Sequence, residues 1–368
     1  LSARLPEGYT LRKALRLPGH FLVAFDGSTP DALPEAIERL AEFGEPEPDG
    51  YVAAAAIPDD PRFGEQWGLG DGPGGIHAPG GWERSTGSQD VVVAVIDTGV
   101  DYTHPDLADT IWTNPGETGD GREFNGEDDD GNGLVDDWRG WDFAAPGAGN
   151  NDPMDDREID GALVGHGTHV AGIIGAVGDN STGVAGVAWN VRILPLKALD
   201  REGFGTWSDI ADALQYAREM GVPICNNAYG SWVVPSSTIN TAVDLTREAG
   251  MLFVASAGNG DFPGNGGTTA DDVDLYPYYP ASFDIDNVIG VAAHGDDGTL
   301  AEFSNFGLSG VDITAPGVDI LSTLAGGGYG SLSGTSMSSG FVSGAAAVAL
   351  ALRPSLSRGG LQTALLAS

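Results

Sequence analysis

Val91 to Asp101 reads VVVAVIDTGVD. Six consecutive apolar residues, most of them β-branched, end in Asp97 and a Thr-Gly turn. A run of that kind with no polar alternation predicts a central strand of a parallel sheet, covered on both faces. In open α/β sheets the ligand crevice lies beyond the carboxyl ends of the strands, and Asp97 stands at that end. An isolated aspartate there also reads as a turn residue or a helix cap, so Asp97 needs partners before it means more.

Two later stretches supply them. Gly165 to Gly175, GHGTHVAGIIG, places His166 between glycines at the start of a small-residue apolar helix. Such glycines permit close packing and would pin the imidazole beneath the crevice. His166 and His169 are three apart, but no third His or Cys follows at ligand spacing, which argues against a metal pair. Ser331 to Leu352, SLSGTSMSSGFVSGAAAVALAL, predicts a helix apolar on nearly every face and therefore buried. Ser336 sits at its N-terminal end, where unpaired backbone N–H groups and the positive end of the dipole would stabilise an oxyanion. The plainer reading of Ser336 is an N-cap. Together the three stretches offer an orienting carboxylate, a general base and a nucleophile in the order Asp, His, Ser.

Charge is the strongest global feature. Across 368 residues, 53 acids oppose 17 bases for a net charge of −36, and only Lys13 and Lys197 are lysines. Nucleic acid and anionic membranes are poor partners for such a surface. Clustered carboxylates that bind calcium and a halophile-like solvated surface both account for the acidity. No run reaches the roughly 18 consecutive apolar residues of a membrane span. The single cysteine, Cys225, excludes an intrachain disulfide and reads as a small buried strand residue.

Before the central strand, HFLVAF at His20–Phe25 predicts a strand, Leu33–Phe43 a helix, and Tyr51–Ile57 a second strand. IPDDPRFGEQWGLGDGPGG from Ile57 reads as a linker. The expected organisation is a small α+β segment at residues 1–57, then a three-layer α/β/α domain with a mostly parallel sheet at 58–368.

The segments VIDTGVDYTHPDL, GHGTHVAGIIGAV, SAGN and SGTSMSSG resemble, in content and order, the subtilisin-like serine proteases, the subtilases. The α/β-hydrolases, with a G-x-S-x-G elbow and a different residue order, fit poorly. The resemblance implies Asp97 as orienting acid, His166 as base, Ser336 as acylated nucleophile and Asn259 as oxyanion donor. It implies an extended substrate paired along Ala228, Tyr229 and Gly230, with Ser256, Ala257 and Gly258 on the opposite wall of the main specificity pocket. Ala228 replaces the family's usual serine. The small lining suggests an apolar or aromatic residue before the scissile bond. Gly340 stands where the family has proline. The resemblance also implies an inhibitor-like propeptide at residues 1–57, with a permanently attached cap as the alternative, a secreted protein, and broad endopeptidase action on proteins or peptides. The family's closing Gly-rich strand and short helix after the Arg353–Ser368 segment are absent from the sequence, which points to a truncated or differently covered end. The alternatives are a non-catalytic calcium-dependent binding protein on the same fold and an enzyme passing the acyl group to an amine.

Calcium is expected at two loops. Glu127–Asp137, EDDDGNGLVDD, sets Asp128, Asp130 and Asn132 at alternate positions, then a glycine, the Leu134 carbonyl, and Asp136 or Asp137. This spacing follows the first half of an EF-hand loop but lacks the closing glutamate, as Arg139 is at position twelve, so a structural clamp is implied. The second site comes from the resemblance alone, which matches Gln66, Asp106, Asn180 and the carbonyls of Gly178, Thr182 and Val184 to the family's tight calcium site.

Overall fold

The computed structural model describes residues 5–6, 8–15, 20–25, 33–41, 45–46, 56–159, 161–260 and 270–368. The chain divides into two compact units, Leu1–Ala54 and Ala55–Ser368. The first contains β1 (Tyr9–Ala14), β2 (Phe21–Phe25) and α1 (Leu33–Leu40). β1 pairs with β2 antiparallel, with a bulge between Leu11 and Lys13. The sequence pattern missed β1, whose run YTLRKA carries two adjacent basic residues. The strand expected at Tyr51–Ile57 lies, but for Ala56 and Ile57, outside the described residues.

The second unit runs α2 (Ala78–Trp82), β3 (Val92–Asp97), β4 (Trp141–Asp142), β5 (Glu158–Ile159), β6 (Ala162–Leu163), α3 (His166–Gly175), β7 (Arg192–Lys197) and α4 (Trp207–Glu219). There follow β8 (Ile224–Asn227), α5 (Ser237–Glu248), β9 (Leu252–Ser256), β10 (Val288–His294), β11 (Ile313–Pro316), β12 (Ile320–Leu324), β13 (Gly328–Leu332), α6 (Thr335–Leu352) and α7 (Arg358–Leu366). Seven strands form one parallel sheet in the order β11-β10-β9-β8-β3-β7-β4.

The reading of Val91–Asp101 explains the layers. Along β3, Val93 and Val95 join the core formed with α3 and α6, while Ala94 and Ile96 join the core formed with α4 and α5. All four are fully buried. A strand covered on both faces has no polar side to alternate, and burying a side chain such as Ile96 contributes about 1.5–3 kcal/mol. The second unit is therefore three-layered α/β/α, as expected. Helix α6 is long and apolar enough to cross a membrane by composition, yet thirteen of its eighteen residues are buried in the fold. Cys225 lies in β8 with no exposure, and burial pushes its thiol up to about 12.

Strand order reverses around β3, which has β8 on one side and β7 on the other. At such a switch point the connections leave the carboxyl ends in opposite directions and open a crevice. The carboxyl ends of β3, β8 and β9 deliver Asp97, Ala228–Gly230 and Ala257–Asn259 to one place.

Candidate active site

Asp97 ends β3 with no solvent exposure. Its Oδ1 accepts from the Thr98 N–H and from His166 Nδ1–H, each at 2.7 Å. His166 opens α3, and two local features fix it there. Gly165 caps the helix in the left-handed region at φ 72°, and a Cβ at that position would fall 2.5 Å from the Ala325 Cβ and 2.9 Å from Asp155 Oδ2. Asp155, which the sequence reading did not single out, accepts from Thr168 N and Oγ1 at 2.8 Å each and so ties down the first turn. Burial pushes the Asp155 carboxyl up to about 6. For His166, burial opposes the charged form, but the charge and hydrogen bond of Asp97 outweigh it and hold the imidazole above its usual value.

Ser336 is the second residue of α6, not its cap; the cap is Gly334. Its hydroxyl donates to the Ala228 carbonyl at 3.1 Å and is nearly buried, at 8% exposure. Thr335 is a further residue the sequence reading missed. Its Oγ1 accepts from the Gly258 N–H and donates to Asn259 Oδ1, at 3.0 Å each, and its N–H also donates to that oxygen at 2.9 Å. With its carbonyl oxygen held, the Asn259 amide keeps its N–H₂ end for a ligand. Gly340 lies in an unbroken α6, where a Cβ would meet Ile173 Cγ2 at 3.1 Å.

These groups share a cleft of about 730 Å³ lined by His166, Ser336, Asn259, Ala228, Tyr229, Gly230, Ser256 and Gly258, together with Phe204, Trp207 and Tyr278. Ala257 is buried behind the wall, its carbonyl accepting from Asn305 Nδ2 at 2.8 Å. His169 faces inward without exposure, and burial lowers its imidazole to about 3, which keeps it neutral.

The acidic loop gathers only part of the expected set. Asp128 and Asp130 offer oxygens within 4.8 Å of each other and of Glu117, a residue the sequence reading left out. Glu117 has no exposure; its Oε1 accepts from the backbone of Asp129 and Asp130, and its buried Oε2 has no partner among the described residues. Burial holds its carboxyl above the usual range. The Asn132 Oδ1 accepts from the Leu134 N–H at 2.7 Å, and its amide donates to Asp130 and Asp137. Asp136 turns away to accept from the Gly126 N–H, and buried Asp137 accepts from Asn114, Asn132 and the Tyr216 hydroxyl.

At the second loop, Asp106 Oδ1 accepts from Asn180 Nδ2 and Oδ2 from the Val184 N–H, at 3.0 Å each. Asn180 Oδ1 takes the Thr182 N–H at 2.8 Å, with Gly178 two residues before it in the loop. Gln66 does not turn toward Asp106. Both ends of its amide are spent on the backbone of Ala185, at 2.9 and 2.8 Å. The carboxylate that feels the charge of Asp106 is Asp60, 4% exposed, with Oδ2 accepting from the Asp179 N–H and Oδ1 unpartnered among the described residues. Burial first, and then the charge of Asp106, hold the Asp60 carboxyl above its ordinary range.

With this geometry in hand, known proteins offer a comparison. A family model described as the Subtilase family matches residues 88–368. A thermophilic serine proteinase from Bacillus sp. (strain AK1) is 41% identical over 84% of this chain and 63% of its own length. An extracellular protease from Xanthomonas campestris pv. campestris is 34% identical over 84% of this chain and 52% of its own, so the chain spans only half to two thirds of these relatives. Among solved structures, a protease of Pseudoalteromonas arctica PAMC 21717 superposes with a TM-score of 0.66 at 30% identity, covering 84% of this chain and 91% of that one.

Proposed function

The chain belongs to the subtilase family, and from that premise we propose that it is a secreted serine endopeptidase acting through Asp97, His166 and Ser336. The observation that carries the reading is the 2.7 Å bond from His166 Nδ1 to buried Asp97, in the same cleft as a serine at the N-terminus of a buried helix. A carboxylate on Nδ1 leaves Nε2 to take the Ser336 proton as the hydroxyl attacks the scissile carbonyl, and later to return it to the leaving amine. The developing oxyanion receives the Ser336 N–H and the Asn259 amide. Before substrate arrives, the Ser336 hydroxyl rests on the Ala228 carbonyl. A substrate strand pairing along Ala228–Gly230 takes that carbonyl for its own N–H and turns the hydroxyl toward His166.

Calcium fits both acidic loops as a structural ion. The donors are carboxylate and amide oxygens, suited to a hard cation, and each site holds a buried carboxylate oxygen with no hydrogen-bond partner among the described residues, on Glu117 and on Asp60. Glu117, Asp128 and Asp130 would hold one ion, and Asp60, Asp106 and Asn180 the other, with Asp60 in the place first given to Gln66. Residues 1–57 act as an inhibitor-like segment of the catalytic unit at 58–368. The purified protein is expected to hydrolyse casein and an amide-linked peptide, and Ser336→Ala to lose about 10⁵-fold or more in kcat. Undiminished amidase activity in that variant would reject the assignment.

A further inference from the structure

The walls of the main specificity pocket are Ala228–Gly230, which follow β8, and Ser256–Gly258, which begin at the last residue of β9. Those strands are neighbours in parallel register, with Asn227 beside Ala255. The walls therefore leave the sheet side by side, and a side chain preceding the scissile bond would enter between them. The space between them is not empty. The ring of Tyr278 lies against both glycines: a Cβ on Gly230 would lie 2.5 Å from its Cζ and 2.8 Å from its Oη, and a Cβ on Gly258 would lie 2.9 Å from its Cδ1 and Cε1. Glycine at 230 and 258 is what admits the ring.

The ring is also held in place. Ser231 and Tyr279 exchange two backbone hydrogen bonds, Ser231 N–H to Tyr279 O at 2.7 Å and Tyr279 N–H to Ser231 O at 2.9 Å, which fix the chain beside the wall. The Tyr278 N–H donates to Ser282 Oγ at 3.0 Å, and Trp232 packs edge-on against the ring with centroids 4.8 Å apart. Aromatic pairs in this arrangement add to the burial that orients them.

Resting on the peptidase reading above, we infer that Tyr278 is a specificity-determining residue that fills the pocket and restricts the residue before the scissile bond to a small one, alanine, serine or glycine. This reverses the preference suggested by the small wall residues alone, because the plug comes from a loop some twenty residues further along the chain. In an apolar pocket each methylene that fits or fails to fit changes the rate by about 10–200-fold.

The test uses three otherwise identical acyl-tetrapeptide p-nitroanilides ending in Ala, Leu or Phe, with wild type, Tyr278→Gly and Tyr278→Phe. Wild type is expected to favour Ala over Phe in kcat/KM by at least about 10-fold. Tyr278→Phe keeps that order because the ring remains, and Tyr278→Gly reverses it by raising the Phe rate. A wild-type enzyme that prefers Phe or Leu, or a glycine variant with the wild-type ratio, overturns the inference. Should Tyr278→Gly not fold, mass-spectrometric mapping of wild-type cleavages in denatured casein decides: bonds after small residues support the plug, and bonds after Phe, Tyr or Leu reject it. Failure to cleave any substrate, with Ser336 unreactive toward a fluorophosphonate, instead overturns the peptidase reading and this inference with it.

Discussion

The cleft and the acidic loop at residues 114–137 both bury carboxylates, and they compensate them differently. Asp97 receives the Thr98 N–H and a histidine that can carry positive charge, both from the chain itself. Glu117, Asp128 and Asp130 form no ion pair with a basic side chain among the described residues, and they are met by backbone N–H groups and asparagine amides. Each site leaves one oxygen over, Asp97 Oδ2 and Glu117 Oε2, buried and with no hydrogen-bond partner among the described residues. A buried carboxylate with no cationic partner costs several kcal/mol, so the difference lies in the charge opposite: His166 supplies it for Asp97, and the proposed calcium would supply it for Glu117.

Removing the chain-supplied compensation breaks the cleft most severely. Asp97→Asn would still bond His166 but in the wrong tautomer, and kcat is expected to fall about 10⁴-fold while the fold persists, as judged by circular dichroism. Asn259→Ala removes one oxyanion donor and should cost about 10²–10³-fold in kcat with little change in KM. In the loop the readout is stability instead of rate. Calcium at 100 times its dissociation constant adds about 2.7 kcal/mol per site. At roughly 2 °C per kcal/mol for a domain of this size, EDTA should lower the melting temperature by about 5 °C for each site it empties, about 10 °C for both. Glu117→Gln should shrink that response. A melt indifferent to EDTA but raised by NaCl would leave charge screening of the −36 surface as the whole explanation.

The smallest effect is on pH dependence. Asp97 holds His166 above its ordinary 6.5, so the neutral base is lost as pH falls through a value higher than that. The acid limb of kcat/KM should therefore lie above pH 6.5, and in Asp97→Asn the residual activity should show it displaced downward. A wild-type limb well below 6.5 would mean that burial, not Asp97, governs the imidazole.

The sequence exposed whatever depends on local pattern. Val91–Ile96 announced a strand covered on two faces because its apolar run is unbroken, and the glycines around His166 and the apolar stretch after Ser336 announced two helix starts. Pairings made by the fold were not visible. Glu117 meets Asp128 and Asp130 through a loop, Asp60 feels the charge of Asp106 from 46 positions away in the chain, and Tyr278 reaches the pocket glycines from a separate segment. Gln66 is instructive: its residue type suits a calcium ligand, but Ala185 presents both a donor and an acceptor to it, and a neutral amide satisfies both at once. Thr335 likewise lay in plain view beside Ser336, but its bond to Asn259 joins two motifs 76 residues apart.

The account turns on Ser336 being an activated nucleophile, and one measurement addresses it directly. Native protein treated with a fluorophosphonate, digested and mapped by mass spectrometry, should carry a single phosphonyl adduct on Ser336, and His166→Ala should suppress it. An adduct elsewhere, or labelling of Ser336 that is unchanged in His166→Ala, would contradict the account.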